Sequence, residues 1–175
     1  MYFCCMFTIV FLAGVIEAGL GNYGFIVQLV PLIGFYLFVV SGWRHPLLPL
    51  LAMCGILDAM YMRCLPVECL VLIILAFLAE GWRSWGDMSS GLALCLAGWS
   101  IGFVSCGVIL LESYFRADKA VSGDVQRLVF WWLSSGPCHY IVCNALNKLA
   151  IILNVRQLMM ASAMHLYDEE SSHEE

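Results

Sequence analysis

Long apolar runs alternate with short connections along most of the chain. The connections contain glycine, proline, tryptophan and isolated charges. Each run approaches the roughly 20 apolar residues that cross the hydrocarbon core of a bilayer as a helix. The runs cover residues 2–20, 24–40, 46–62, 65–79, 91–111 and 128–155. The pattern therefore predicts an all-α fold, a polytopic bundle of about six transmembrane helices.

Two places in this pattern predict local geometry. The third and fourth runs are joined only by residues 63–66, which allow a tight turn and predict a short helical hairpin over 46–79. In the last run, Pro137 removes a backbone donor and clashes with the preceding turn. We therefore expect a kink in the last helix, or two half-helices.

The composition favours a membrane-embedded body followed by a polar tail. The chain is 62% hydrophobic and 12% charged, whereas a soluble domain is about half apolar and a quarter charged. Five of the thirteen acids lie in the last eight residues, which leaves the body with eight acids and eight Lys or Arg. We expect a transmembrane helical bundle over 1–156 and an acidic tail over 157–175, with no nucleic-acid partner.

The sequence offers few residues in catalytic or metal-binding patterns. Nine cysteines lie mostly inside apolar runs without a Cys-x-x-Cys pair, so we interpret them as packing residues. The zinc-protease motif, the phosphate-binding loop and Asp-rich metal motifs are absent from the sequence. We therefore predict a protein that is not an enzyme, with no catalytic residue, metal or other cofactor.

Asp58 is the first candidate for a functional residue, because an ionisable group inside an apolar run is costly unless it is paired. It shares a helical face with the small residues Ala52, Gly55 and Ala59. Such a face lets a neighbouring helix approach closely. We expect Asp58 to be buried between helices, with Gly55 at the contact.

Lys148 is the second candidate, with Asn144 one turn before it and Asn147 beside it in the last run. One interpretation is that Asp58 and Lys148 form a proton or ligand site. The other is a polar clamp that fixes helix packing, in which Asn144 or Lys148 donates a hydrogen bond to Asp58.

The remaining polar and small residues predict packing or solvation. Gly98 and Gly102 form a Gly-x-x-x-Gly pattern, which predicts a packing face inside the bundle or towards a partner. Glu17 and Glu68 lie near the ends of their runs, where we expect water to solvate them. His139 has no cluster of metal-ligating residues nearby in sequence, so we interpret it as a hydrogen-bonded packing residue.

Within residues 28–81, a proline-entered helix at 28–36 precedes an apolar helix with Gly55-Ile-Leu-Asp58, a tight turn and another apolar helix. This order of features resembles the core of the MreD family, the small membrane subunit of the bacterial rod-shape complex. Residues 143–146 are similar to a polar pair in the family's closing helix. Two features depart from the family: residues 63–66 replace its usual turn glycine, and the acidic tail is additional.

The resemblance implies a non-enzymatic, multi-pass subunit of the bacterial inner membrane. It would bind an MreC-type membrane protein and act indirectly on MreB filaments and wall-elongation enzymes, with both termini, and hence the tail, in the cytoplasm. The alternative is the substrate-binding subunit of an energy-coupling-factor vitamin transporter, which needs a pocket with several convergent polar groups. A small membrane enzyme is a third possibility, which a second buried acid beside Asp58 would favour.

Overall fold

The protein is represented by a computed structural model that describes residues 2–23, 27–63, 65–85, 91–116 and 121–152. Within these ranges the chain forms six α-helices and no strand, which confirms the predicted all-α fold. The helices are α1 (Tyr2–Asn22), α2 (Leu29–Ser41), α3 (Leu47–Met60), α4 (Val67–Trp85), α5 (Gly91–Arg116) and α6 (Val121–Ile152). The acidic tail predicted over 157–175 lies outside the described residues.

The second helix, α2, lies at the centre of the bundle. Every residue from Val30 to Val39 is buried, and α2 contacts each of the other five helices. A helix that is apolar on all sides can be buried completely in this way. The central position of α2 therefore follows from its uninterrupted apolar run.

The connection after α3 is a tight turn closed by backbone hydrogen bonds. The N–H of Met62 donates to the carbonyl of Ala59, and the N–H of Arg63 donates to that of Asp58, both at 3.2 Å. This pair of bonds is a Schellman motif, with Met62 at φ 47° in the left-handed position that glycine usually occupies. The turn brings Arg63 back beside Asp58, and α3 packs against α4 as the predicted hairpin requires.

The last helix, α6, is continuous through Pro137 and is not divided into two half-helices. A proline at this position cannot donate to the carbonyl of Leu133, four residues earlier. The indole N–H of Trp99, on α5, donates to that carbonyl at 3.2 Å. The neighbouring helix therefore satisfies the backbone group that the proline leaves unpaired.

Two described helices are long and apolar enough to cross a membrane, over Cys4–Gly21 of α1 and Gly91–Phe115 of α5. The apolar helices α2 and α3 have 13 and 14 residues, and 14 helical residues extend about 21 Å against a hydrocarbon core of about 30 Å. The six-helix count is thus established for the described residues, whereas six membrane crossings remain a prediction.

Candidate functional site

Buried polar side chains meet at one end of the helical bundle, where α1, α3 and α5 end and α2 and α4 begin. We call this group the charged cluster; its members are Glu17, Gln28, Asp58, Arg63, Glu68 and Glu112. All of them except Arg63 are more than nine-tenths buried. Each comes from the end of a helix or from the turn between α3 and α4. Because these helix ends lie side by side, residues far apart in the sequence meet there.

Asp58 caps the start of α4. Its Oδ1 accepts a hydrogen bond from the backbone N–H of Glu68 at 3.0 Å, and its Oδ2 accepts one from that of Cys69 at 3.3 Å. The first N–H groups of a helix have no partner within the helix, and its positive end favours a carboxylate. The predicted burial of Asp58 is confirmed. The prediction that its hydrogen bonds come from α6 is wrong, because the unpaired N–H groups of α4 are nearer.

Arg63 binds carboxylates from three helices. Its Nη1 lies 2.7 Å from Glu68 Oε1 and 3.4 Å from Asp58 Oδ1, and its Nε lies 4.0 Å from Glu112 Oε2. The guanidinium also lies over the ring of Tyr61, 4.9 Å from its centre. Burial opposes the charged form of Arg63, but the carboxylates of Glu68, Asp58 and Glu112 outweigh it and raise the pKa of the guanidinium. Arg63 therefore remains a cation.

Glu17 caps α2 as Asp58 caps α4. Its Oε2 accepts a hydrogen bond from the N–H of Val30 at 2.8 Å, and its backbone carbonyl accepts one from the Tyr61 hydroxyl at 3.4 Å. Burial raises the pKa of Tyr61, and the carboxylates of Glu17 and Glu68 raise it further, so the hydroxyl stays a neutral donor. Glu17 is 2% exposed and Glu68 is fully buried, so the prediction that water solvates them is wrong.

Glu68 is the most enclosed acid of the charged cluster. Its Oε1 accepts hydrogen bonds from Arg63 and, at 3.3 Å, from the amide Nε2 of Gln28. Its Oε2 and the Oε1 of Gln28 are buried and have no hydrogen-bond partner among the described residues. Glu68 is also the second buried acid beside Asp58, which is the feature that would favour a membrane enzyme.

The small-residue face predicted around Asp58 points away from the bundle. Ala52, Gly55 and Ala59 are exposed, and a Cβ added at Gly55 would meet no atom within 4 Å. The prediction that this face buries Asp58 is therefore wrong for contacts within the chain. A role of Gly55 in binding a partner remains a prediction.

The polar residues predicted on the last helix lie apart from the charged cluster. Lys148 is exposed and Asn144 is partly buried. Asn147 instead accepts a hydrogen bond from the Tyr36 hydroxyl, which links α6 to α2. His139 is fully buried, with its ring edge against Phe35. Asn147 and His139 thus join α6 to the central helix rather than to Asp58.

Gly98 and Gly102 lie where α5 approaches α6 most closely. A Cβ at Gly98 would stand 2.6 Å from the carbonyl oxygen of Ser135, and one at Gly102 would overlap the Ser135 hydroxyl. The same segment also has a Gly-x-Ser-x-Gly pattern around Ser100, which is the pattern of a hydrolase nucleophile elbow. Ser100 lies inside α5 and donates to the carbonyl of Leu96 at 3.0 Å, so the strand-to-helix turn of such an elbow is not formed.

No protein-family model, curated protein or solved structure matches the chain. The site is therefore interpreted from its own chemistry. Across the described residues, no three His, Cys, Asp or Glu side chains are placed to hold a metal ion. The charged cluster instead caps α2 and α4 and links α3, α4 and α5 through one guanidinium, an arrangement suited to fixing helix ends and to binding protons.

Proposed function

We propose that this chain is a multi-pass protein of the bacterial inner membrane and a non-enzymatic scaffold of the rod-shape and cell-wall elongation complex. It would bind an MreC-type partner and support cell shape and peptidoglycan synthesis. The observation that carries the proposal concerns Asp58, the last residue of the Gly55-to-Asp58 motif. Because Asp58 caps α4, its carboxylate joins α3, the turn and α4 into one folded unit. This sequence of helix, aspartate, turn and helix is the part of the chain that resembles the MreD family.

The membrane part of the proposal is supported by the outer surface of the bundle. Large apolar side chains are exposed there, among them Phe7 and Phe11 on α1, Phe103 on α5 and Phe130 on α6. A soluble monomer rarely exposes apolar patches of this extent, because they promote association in water. Lipid tails are the surroundings that suit such a surface.

Six crossings predict a specific pattern for reporters fused at three positions. Fusions at Gly21, Arg83 and Glu175 should report the opposite side, the same side and the same side relative to Met1. The Arg83 fusion is decisive, because a chain crossed only by α1 and α5 would place it on the opposite side. Alkaline phosphatase and fluorescent-protein fusions in whole cells measure this directly. An opposite-side signal at Arg83 would contradict the six-span topology.

Partner capture tests the functional part of the proposal. Crosslinking and co-purification of the tagged full-length chain from native bacterial membranes should recover a coiled-coil membrane protein of wall synthesis. If Gly55 contacts that partner, Gly55→Trp should reduce its recovery severalfold without changing thermal stability. Gly107→Trp is the matched control, because a Cβ at Gly107 also meets nothing within 4 Å of it but lies on α5. Recovery of an ATPase module with a small molecule would contradict the scaffold and favour the transporter subunit.

A small membrane enzyme is the second candidate, and Glu68 beside Asp58 is the observation that favours it. Two buried acids can share general acid and base roles. Here Asp58 and Glu68 bind the same guanidinium, and Asp58 also caps a helix, so both carboxyl groups already serve structure. Loss of a measurable lipid-processing activity on Glu68→Gln would favour the enzyme over the scaffold.

A further inference from the structure

The charged cluster contains more acids than bases. Three carboxyl groups, those of Asp58, Glu68 and Glu112, contact the guanidinium of Arg63, and the carboxyl group of Glu17 is the fourth acid of the charged cluster. If all were ionised, three negative charges would remain uncompensated among residues that are at most 16% exposed. Buried charges without a partner are costly, and such a group takes up a proton instead.

Hydrogen bonding distinguishes the four carboxyl groups. Asp58 accepts bonds from Arg63 and from two N–H groups at the start of α4, so both of its oxygens have donors. Glu112 Oε2 lies 4.0 Å from the Nε of Arg63, and Glu112 Oε1 is buried without a hydrogen-bond partner among the described residues. Glu17 and Glu68 are the two most deeply buried acids and interact electrostatically with one another. Two like charges in one buried site strongly disfavour simultaneous ionisation.

The amide of Gln28 marks where a proton can be held. Its Nε2 donates to Glu68 Oε1, while Gln28 Oε1 and Glu68 Oε2 both lack a donor among the described groups. These two oxygens belong to the planar amide of Gln28 and the planar carboxyl group of Glu68, which the bond from Nε2 to Oε1 already joins. A proton on Glu68 Oε2 supplies the missing donor and Gln28 Oε1 can accept it, while Glu68 Oε1 still accepts the bonds from Arg63 and Gln28.

We propose that the charged cluster is a proton-binding site in which Glu68 is a neutral carboxylic acid. Its O–H donates to Gln28, and because it is neutral it places no second negative charge beside Glu17. The proton serves Glu17 and Glu68 as a pair, because ionising both would place two like charges in one buried site. The titratable and charged groups around the pair are Cys54 and Asp58 on α3, Tyr61 and Arg63 in the turn, Cys69 on α4 and Glu112 on α5.

Release of the proton should loosen this end of the bundle. The Glu68 O–H bond to Gln28, which joins α4 to α2, would be lost, and two carboxylates would then repel one another. The stability of the folded state should therefore fall when the proton is released as the pH rises. The charged cluster would thus couple proton binding to the packing of α1, α2 and α4.

Infrared spectroscopy of the full-length protein in detergent tests the proposal. The wild type should show the C=O stretching band of a protonated carboxyl group at neutral pH, and the band should disappear on alkaline titration. Glu68→Gln should lose the band and should flatten the dependence of thermal stability on pH, since glutamine imitates the neutral acid. Glu17→Gln should weaken the band at neutral pH, because the like charge that favours protonation of Glu68 is gone.

The matched control is Glu80→Gln, at an exposed acid on the same helix as Glu68, which should leave the band unchanged. Absence of a protonated carboxyl band from the wild type at neutral pH would overturn the proposal. A band that persists unchanged in both Glu68→Gln and Glu17→Gln would also overturn it, by placing the proton elsewhere. The wild-type spectrum decides the first point even if Glu68→Gln does not fold.

Discussion

Arg63→Leu should destabilise the protein by about 3 kcal/mol, the loss expected when one partner of a buried ion pair is removed. Among the residues that the structure describes, Arg63 is the only cation of the charged cluster, and it binds Asp58, Glu68 and Glu112. Without it, the acids must take up protons or remain uncompensated. The destabilisation should therefore be larger at pH 8 than at pH 5. Titration with a denaturing detergent in mixed micelles, at both pH values, measures this difference.

Arg83→Leu is the control for this prediction. Arg83 is 45% exposed in its side chain and lies 3.8 Å from Glu80 on the same helix. Ion pairs of this exposed kind contribute about 0–1 kcal/mol, so the control should change stability little. Arg63→Lys keeps the charge but not the forked geometry of the guanidinium. Its loss of stability should lie between those of Arg63→Leu and Arg83→Leu. Equal losses for Arg63→Leu and Arg83→Leu would show that the charged cluster does not depend on its cation.

The helices could be predicted from the sequence because each is an apolar run bounded by polar or turn residues. The same signal locates helix ends poorly, since it records where apolar residues stop rather than where hydrogen bonds stop. The sixth run was predicted to begin at 128, whereas α6 begins at Val121, and α5 continues past 111 to Arg116. Pro137 predicts a kink or two half-helices, whereas α6 is one undivided helix and only the packed structure shows that Trp99 satisfies the freed carbonyl.

The charged cluster could be predicted only in part. The cost of a charge in an apolar run correctly indicated that Asp58 is buried. Its partners were assigned to α6 because helical spacing shows which residues share a face but not which helices are neighbours. One available signal was overlooked. Successive helices in a bundle run in opposite directions, so Glu17 and Asp58 near helix ends and Gln28 and Glu68 near helix starts meet at the same end.

The glycine patterns show a further limit of the sequence. Gly55 and Gly98 both lie in largely apolar runs, so composition does not reveal which face of each helix is buried. The structure exposes Gly55 and encloses Gly98 against α6. Whether a helix contact requires a particular glycine depends on where that glycine lies in the bundle and not on the motif itself.

Gly98→Ala should separate α5 from α6 and destabilise the protein by about 1–3 kcal/mol, the usual cost of overpacking a filled core. The added Cβ would lie 2.6 Å from the backbone oxygen of Ser135 and 2.8 Å from the Cα of Gly136. Backbone atoms of a helix cannot rotate aside as a side chain can. The helices must therefore move apart, which also lengthens the hydrogen bond from Trp99 to Leu133 near Pro137. Unfolding in mixed micelles measures the loss.

Gly107→Ala on the same helix separates this contact from the general effect of replacing a glycine. A Cβ at Gly107 meets nothing within 4 Å, so the substitution gains helix propensity without a clash. It should stabilise the protein by up to about 1 kcal/mol. The two alanine variants should thus change stability in opposite directions. If Gly98→Ala is as stable as Gly107→Ala, α5 and α6 do not approach one another at Gly98, and the contact around Pro137 must be formed differently.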